Sequence, residues 1–240
     1  MILGLDTATR TVALGLVEGE RLVGEVALAG SSAKTRELMA AIEGLLNDGG
    51  VAPRDLRAIA VGLGPGSFTG VRVGLALAHG LALGLGIPVV GVSTLACVAA
   101  NASPEIERVT VMLDAGRGEV FLGHFRRLAG NLEPVGAARA VTPEEASREA
   151  ADPGLVIGDG WLRYRSEIAA RLGPGVRWLD DDASRARGGI VARLGTVERA
   201  GLDPLAPAIP LEPVYVRAPD ARPSPTKVAG SSASSAGPAT

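Results

Sequence analysis

The sequence is poor in the residues that build disulfides and metal sites. Its 240 residues include one cysteine, Cys97, and two histidines, His79 and His124. A single cysteine cannot form an internal disulfide, which fits a reducing compartment. The histidines form neither a His-x-x-x-His nor a His-Glu-x-x-His pair, which excludes the usual helical zinc site. We expect all three side chains to pack or to face a partner, and we expect no bound metal.

The motifs of several enzyme classes are missing as well. No Gly-x-Ser-x-Gly nucleophile elbow occurs. The glycine-rich residues 64–74 lack the Lys-Ser/Thr pair of a P-loop, and Thr69 stands where a dinucleotide-binding fingerprint has its third glycine. The 24 basic and 26 acidic residues give a net charge of −2, so the composition does not indicate a surface that grips nucleic acid by itself.

Signals for secretion or membrane insertion are weak. The amino terminus has no basic start and reaches Asp6 at once, unlike a signal peptide. Residues 73–92 are about long enough to span a bilayer, but His79, Pro88 and several glycines divide them into a helix and a strand. We therefore predict a cytoplasmic protein without a membrane span.

The apolar patterns predict strands and helices in a definite order. They are strands at 2–6, 11–17 and 21–28, a helix at 35–46, a strand at 58–63, a helix at 68–84 and a strand at 87–92. Three antiparallel strands followed by alternating helices and parallel strands are the order of the ribonuclease-H-like fold. That fold underlies the sugar-kinase/actin/Hsp70 group.

The second half of the chain starts in the same way as the first. Leu113-Asp114 aligns without gaps to Leu5-Asp6, and similar apolar residues follow in each half. We therefore predict an α/β, duplicated, two-lobed fold with lobes at residues 1–100 and 101–221. Residues 222–240 are rich in Ser, Ala, Gly and Pro and are expected to be disordered, because they cannot bury enough apolar area.

Asp6 and Asp114 each end the first strand of a half. In sugar-kinase/actin folds a carboxylate at this position can hold a metal–nucleotide complex. The other interpretation is that both aspartates end strands and accept hydrogen bonds from local turn N–H groups. The sequence leaves both interpretations open.

Residues 64–70 form a glycine-rich turn between a strand and a helix. Such a turn suits either an anion at the helix N-terminus or a tight contact with a neighbouring segment. In the helix that follows, four small residues recur at every fourth position, so they form a ridge that lets another helix approach closely. They are Gly70, Gly74, Ala78 and Ala82. The helix at 35–46 or a partner subunit could provide that contact.

These motifs together resemble the bacterial TsaB (YeaZ) family of tRNA threonylcarbamoyladenosine biosynthesis. The matching segments are residues 2–7, 64–74, 87–95, 113–115, 119–121, 158–160 and 213–221. The resemblance implies a non-catalytic dimerisation or scaffold subunit that docks on and activates a TsaD-type threonylcarbamoyltransferase, joined by a TsaE-type ATPase. It also implies no tightly bound cofactor, with ATP or ADP and Mg only at the complex interface. A homodimer of the free chain is compatible with it, and tRNA contact would be only indirect.

The resemblance also directs attention to particular residues. The partner interface is expected on the N-terminal helices, at Leu38, Met39, Ile42, Gly70, Val71, Gly74, Ala78 and Leu81. The family-signature loop is Gly64, Pro65, Gly66, Ser67, Phe68, Thr69, Gly70 and Arg72. Asp6 and Asp114 would mark a vestigial nucleotide cleft. The alternatives are a small ATP-dependent phosphotransferase that uses these two aspartates, and a metallopeptidase, against which the missing histidine pair argues.

Overall fold

The computed structural model describes residues 1–29, 35–180, 184–200 and 211–216. Within them the strands are β1 (Ile2–Asp6), β2 (Thr11–Glu18), β3 (Arg21–Ala29), β4 (Ala58–Gly62), β5 (Val89–Val92), β6 (Arg108–Gly116), β7 (Glu119–Leu128), β8 (Asn131–Pro134), β9 (Arg139–Val141), β10 (Gly154–Ile157) and β11 (Val176–Trp178). The helices are α1 (Thr35–Asp48), α2 (Phe68–Leu85), α3 (Thr94–Ala99), α4 (Pro143–Glu149), α5 (Asp159–Ile168) and α6 (Gly188–Ala200). The tail predicted at residues 222–240 lies outside the described part of the chain.

The two halves of the chain repeat one sheet topology. The first sheet has the order β3-β2-β1-β4-β5, and the second has the order β8-β7-β6-β10-β11, with β9 also paired to β7. β1 pairs antiparallel with β2 and parallel with β4, and β6 in the same way pairs antiparallel with β7 and parallel with β10. This repetition confirms the predicted α/β duplicated fold of the sugar-kinase/actin/Hsp70 type.

Helices cover both faces of each sheet. α1 and α2 pack on the outer face of the first sheet, where Leu38 and Ile42 join Leu3, Leu5 and Leu14 in one apolar cluster. α4 and α5 cover the outer face of the second sheet with a separate cluster. A third cluster contains residues of both halves and lies between the sheets. The layers explain why the central strands β1 and β4 are buried at every position.

Two helices lie between the sheets, and each of them packs on the sheet formed by the other half of the chain. α3 follows the first sheet in sequence but contacts β6, β7 and β8, whereas α6 packs on β1, β2, β4 and β5. Gly4 and Gly15 are direct partners across β1 and β2, and they leave a flat patch on which the backbone at Gly188 and Gly189 rests. A Cβ atom at Gly15 would lie well under 3.0 Å from backbone atoms of Gly188 and Gly189. The lobe boundary predicted at residue 100 remains a prediction.

The small-residue ridge of α2 packs on the chain's own first strand and the loop after it. Cβ atoms at Gly70 and Gly74 would lie well under 3.0 Å from atoms of Thr7, and Ala78 is fully buried. The expectation that this ridge meets another helix is therefore wrong. α2 is long and apolar enough to cross a membrane by length and composition, but this face packs inside the domain.

Candidate functional site

Asp6, the last residue of β1, is linked by hydrogen bonds to the start of α3 and, through Thr94, to the signature loop. Thr94 donates a hydrogen bond from Oγ1 to Asp6 Oδ2 (2.6 Å), and the same Oγ1 accepts one from the N–H of Gly64 (3.2 Å). The other carboxylate oxygen of Asp6 accepts a hydrogen bond from the N–H of Ala8 (2.8 Å). Asp6 is fully buried, and burial raises its pKa although both hydrogen bonds act to lower it. Asp6 is thus enclosed by the fold.

The signature loop rests on the residues that follow β1. Ser67 donates its backbone N–H to the carbonyl of Ala8 (2.7 Å), and its hydroxyl caps α2 by accepting from the N–H of Gly70 (3.2 Å). Thr7 donates its hydroxyl to the carbonyl of Gly70 (2.7 Å). A Cβ atom at Gly66 would clash with the carbonyl of Ala8. These contacts favour the tight-packing interpretation of the loop over anion binding.

A cleft between the halves contains Asp114, but arginines occupy the space beside it. Asp114 Oδ2 lies 2.6 Å from the guanidinium of Arg163 and 4.0 Å from that of Arg10. Asp114 Oδ1 accepts a hydrogen bond from the N–H of Gly116 (2.9 Å), as Asp6 does from Ala8. Asp159 accepts one from the N–H of Asp114 (2.9 Å), and burial raises its pKa. The cavity at this point measures about 380 Å³ and is lined by Thr9, Arg10, Thr11, Asp159, Leu162, Arg163 and Arg185.

The structure does not bring Asp6 and Asp114 together as a cation site. Both oxygens of Asp6 are engaged within the fold, and Asp114 pairs with arginine. Among the described residues no group of three His, Cys, Asp or Glu side chains could hold a metal ion. The geometry favours the interpretation that each aspartate ends a strand and satisfies a turn N–H group.

The N-terminus of α6 is occupied by a carboxylate of the chain itself. Glu25 on β3 accepts a hydrogen bond from the N–H of Gly189 (2.8 Å) and two from Arg187 (2.6 and 3.0 Å). Helix N-termini attract anions, and here the anion is internal. The motif search missed Glu25, because its role depends on a residue far away in the sequence.

Replacing Glu25 by alanine should lower the free energy of unfolding by about 1–2 kcal/mol, because three charge-assisted hydrogen bonds to the start of α6 are lost. Urea unfolding followed by circular dichroism measures the change. Glu20→Ala is the control, since Glu20 is exposed near the same end of the sheet. Equal midpoints for the two variants would contradict the role of Glu25.

The outer face of the first half carries an exposed apolar groove. It has a volume of about 570 Å³ and is lined by Met39 of α1 together with Phe68, Thr69, Arg72, Val73, Ala76, Leu77, Gly80 and Leu81 of α2. Large apolar side chains are exposed along this helix, with Phe68 at 42% and Leu83 at 86%. An exposed apolar groove of this kind is typical of a protein–protein contact.

Most of the residues that the sequence predicts for a partner interface are buried, and the interface itself stays a prediction. Only Met39 and Leu81 of the predicted residues line the groove. The other six face the interior of the chain, and they are Leu38, Ile42, Gly70, Val71, Gly74 and Ala78. Of the signature loop, Phe68, Thr69 and Arg72 reach the groove, whereas the glycines pack inward. The row of Gly70, Gly74 and Ala78 marks the face of α2 that meets the chain's own strands, and the groove residues form the free face.

Comparison with known proteins gives consistent matches. A family model described as TsaD, tRNA N6-adenosine threonylcarbamoyltransferase, matches residues 28–159, more than half of the chain. The chain is 33% identical over 169 residues to the tRNA threonylcarbamoyladenosine biosynthesis protein TsaB of Escherichia coli, covering 68% of this chain and 73% of that protein. It is 28% identical to the Haemophilus influenzae TsaB, covering 90% and 93% of the two chains.

The match to TsaB of Bacillus subtilis is shorter. It is 38% identical over 134 residues and covers 56% of this chain and 58% of that protein, so it spans less than two thirds of that relative. Among solved structures, a Pseudomonas aeruginosa protein described as similar to peptidase YeaZ has a TM-score of 0.72 at 29% identity, covering 90% of this chain and 99% of that one. YeaZ from Pseudomonas aeruginosa has a TM-score of 0.69 at 30% identity, covering 83% and 92%.

Proposed function

Because the chain belongs to the TsaB (YeaZ) family, we propose that it acts in tRNA threonylcarbamoyladenosine biosynthesis as a non-catalytic subunit that docks on a TsaD-type threonylcarbamoyltransferase and activates it. The docking surface is the groove between α1 and the outer face of α2. The part of the family model that matches this chain includes both helices, which supports a partner built on the same plan.

The exposed groove is the observation that carries the proposal. Its lining is mostly apolar, and α2 leaves Phe68 and Leu83 accessible along one side. An amphipathic helix that lies in a groove buries its apolar face through positions three and four residues apart. A paralogous subunit with its own copy of α1 and α2 would supply such a helix.

The cleft between the halves supports a non-catalytic role. Mg–ATP requires a carboxylate that is free to face the metal, often through water. Here Arg163 is bound to Asp114, and Asp6 is fully buried. The phosphotransferase alternative has no observation in its favour among the described residues. ATP or ADP with Mg would bind only where the partner completes a site, and a TsaE-type ATPase would join the pair there.

Placing a charge in the groove should abolish docking. We expect the wild-type chain, mixed with the TsaD-type paralogue of its own organism, to give a one-to-one complex by light scattering after gel filtration. Ala76 is exposed and lines the groove, so Ala76→Glu would bury a bulky charged side chain in the complex and weaken it roughly 100-fold, even though its carboxylate lies one turn from Arg72.

Ser166→Glu is the matched control, because Ser166 is an exposed helical residue of the second half. It should bind as the wild type does. Absence of a complex with the wild-type chain would refute the docking function, and undiminished binding by folded Ala76→Glu would refute the location of the surface.

A further inference from the structure

A short segment near the carboxyl end of the chain lies against the signature loop. Val214 donates its backbone N–H to the carbonyl of Leu63 (2.8 Å), directly before the loop. Leu211 packs on the core cluster of the first half, and Val216 packs on the cluster between the sheets. The segment is therefore held at both ends and in the middle, which fixes Tyr215 beside the first turn of α2.

The side chain of Arg72 contacts both this segment and a residue that lines the groove. Its guanidinium lies 3.5 Å above the centre of the Phe68 ring, and its Nε donates a hydrogen bond to the hydroxyl of Tyr215 (3.2 Å). The rings of Phe68 and Tyr215 are 5.2 Å apart, and each side chain is 42% exposed. A guanidinium held in this way loses little side-chain entropy when a partner binds, because its rotamer is already selected.

No carboxylate among the described residues pairs with Arg72. Some exposed arginines do have such a partner, among them Arg21, Arg126, Arg148 and Arg165, whereas Arg54 is exposed and has none among the described residues. Within the described residues, the hydrogen bond from Nε to Tyr215 is the one that Arg72 makes. Its two terminal nitrogens are therefore available to a partner, and a guanidinium binds a carboxylate through two parallel hydrogen bonds.

Arg72 also stands at one end of the apolar groove. Phe68, Thr69 and Arg72 belong to the first turns of α2, and the groove continues along the helix to Leu81, about 14 Å beyond Arg72. Phe, Tyr, Met and Arg are the residue types that dominate the energetics of protein interfaces.

We propose that Arg72, fixed by Phe68 and Tyr215, selects the docking partner by binding an Asp or Glu carboxylate on it. The partner segment is an amphipathic helix whose apolar face fills the groove and whose carboxylate meets the first turns of α2. This proposal rests on the proposed docking function and adds the chemistry by which the groove distinguishes one helix from another. The segment Leu211–Val216 takes part because Tyr215 holds the guanidinium in place.

The test is calorimetric titration of the full-length chain with its TsaD-type paralogue at low and high NaCl concentration. Arg72→Ala should raise the dissociation constant roughly tenfold or more and should flatten its dependence on salt. Arg72→Lys should also bind more weakly, because an ammonium group lacks the planar fork and the stacking surface. Arg54→Ala removes an exposed arginine outside the groove and should bind within about twofold of the wild type.

The outcomes separate the two proposals. If Arg72→Ala, with an unchanged melting temperature, binds as the wild type does while Ala76→Glu does not bind, the role of Arg72 is refuted and the docking function stands. If the wild-type chain forms no complex, both are refuted. Weak binding by Arg72→Glu that is restored by exchanging one partner carboxylate for arginine would identify the paired residue.

Discussion

Replacing Gly70 by alanine should destabilise the protein by about 3 kcal/mol, because the new methyl group would meet the carbonyl oxygen of Thr7. That oxygen belongs to the backbone directly after β1, so it cannot move away as a flexible side chain could. The hydroxyl of Thr7 also donates to the carbonyl of Gly70, and displacement of the two segments would break this bond. Thermal and urea unfolding of the purified variant measure the loss.

Gly80→Ala is the matched control in the same helix. A Cβ atom at Gly80 would meet nothing within 4 Å, so this variant should gain the helix propensity of alanine, about 0.5–1 kcal/mol. The two substitutions add the same methyl group to the same helix, at a buried position and at an exposed position. Equal stability of the two variants would show that the ridge does not pack on β1 as described.

Asp6→Ala should lower the free energy of unfolding by about 2–3 kcal/mol at neutral pH. The substitution leaves the hydroxyl of Thr94 and the N–H of Ala8 buried without their acceptor. Asp6→Asn keeps an oxygen for the N–H of Ala8 and should remain within about 1 kcal/mol of the wild type. If the two variants unfold at the same urea concentration, the hydrogen-bonded link from β1 to α3 contributes nothing to stability.

The same carboxylate gives stability a defined dependence on pH. Burial raises the pKa of Asp6 above its ordinary value of 3.8, so the native state holds the proton at higher pH than the unfolded state does. The stability that comes from this difference in pKa is therefore fully present below about pH 3.8 and is lost as the pH rises through the raised pKa, whereas the hydrogen bonds to Thr94 and Ala8 remain at neutral pH. Asp6→Asn lacks this titration, and its unfolding free energy should fall less between about pH 4 and pH 7. Asp159, whose pKa is also raised by burial, should leave part of the dependence in place.

The sequence pattern predicted most strands and helices of the first half. Their apolar runs are long, and turns rich in glycine, proline or charged residues separate them. α3 was missed, since its six residues are too few to show helical periodicity. Its N-cap Ser93 was the available signal, because the hydroxyl accepts from the N–H of Ala96. β8, β9 and β11 have three or four residues each, and most of these residues are exposed. Such short strands do not show the alternation of buried and exposed residues by which a strand is predicted.

The site was predictable only in part. The spacing of small residues on α2 correctly indicates a close approach, but it does not say whether a helix or a strand approaches. Gly4 and Gly15 did carry a signal, since glycine inside a strand often marks a place where another backbone comes close. The pairing of Glu25 with the start of α6, and of Tyr215 with Arg72, joins residues far apart in the chain and could not be read from local pattern.

The position of α6 has a consequence for how the chain acquires its structure. The inner face of the first sheet is completed by residues 188–200, so the patch around Gly4 and Gly15 stays open until α6 has left the ribosome. Contacts of such long sequence separation form late, because a long loop must close before they are made. A fragment that ends at residue 100 would also leave α3 without the sheet that it covers. Synthesis of this protein therefore passes through a period in which its amino-terminal sheet is half covered, and its maturation depends on α6.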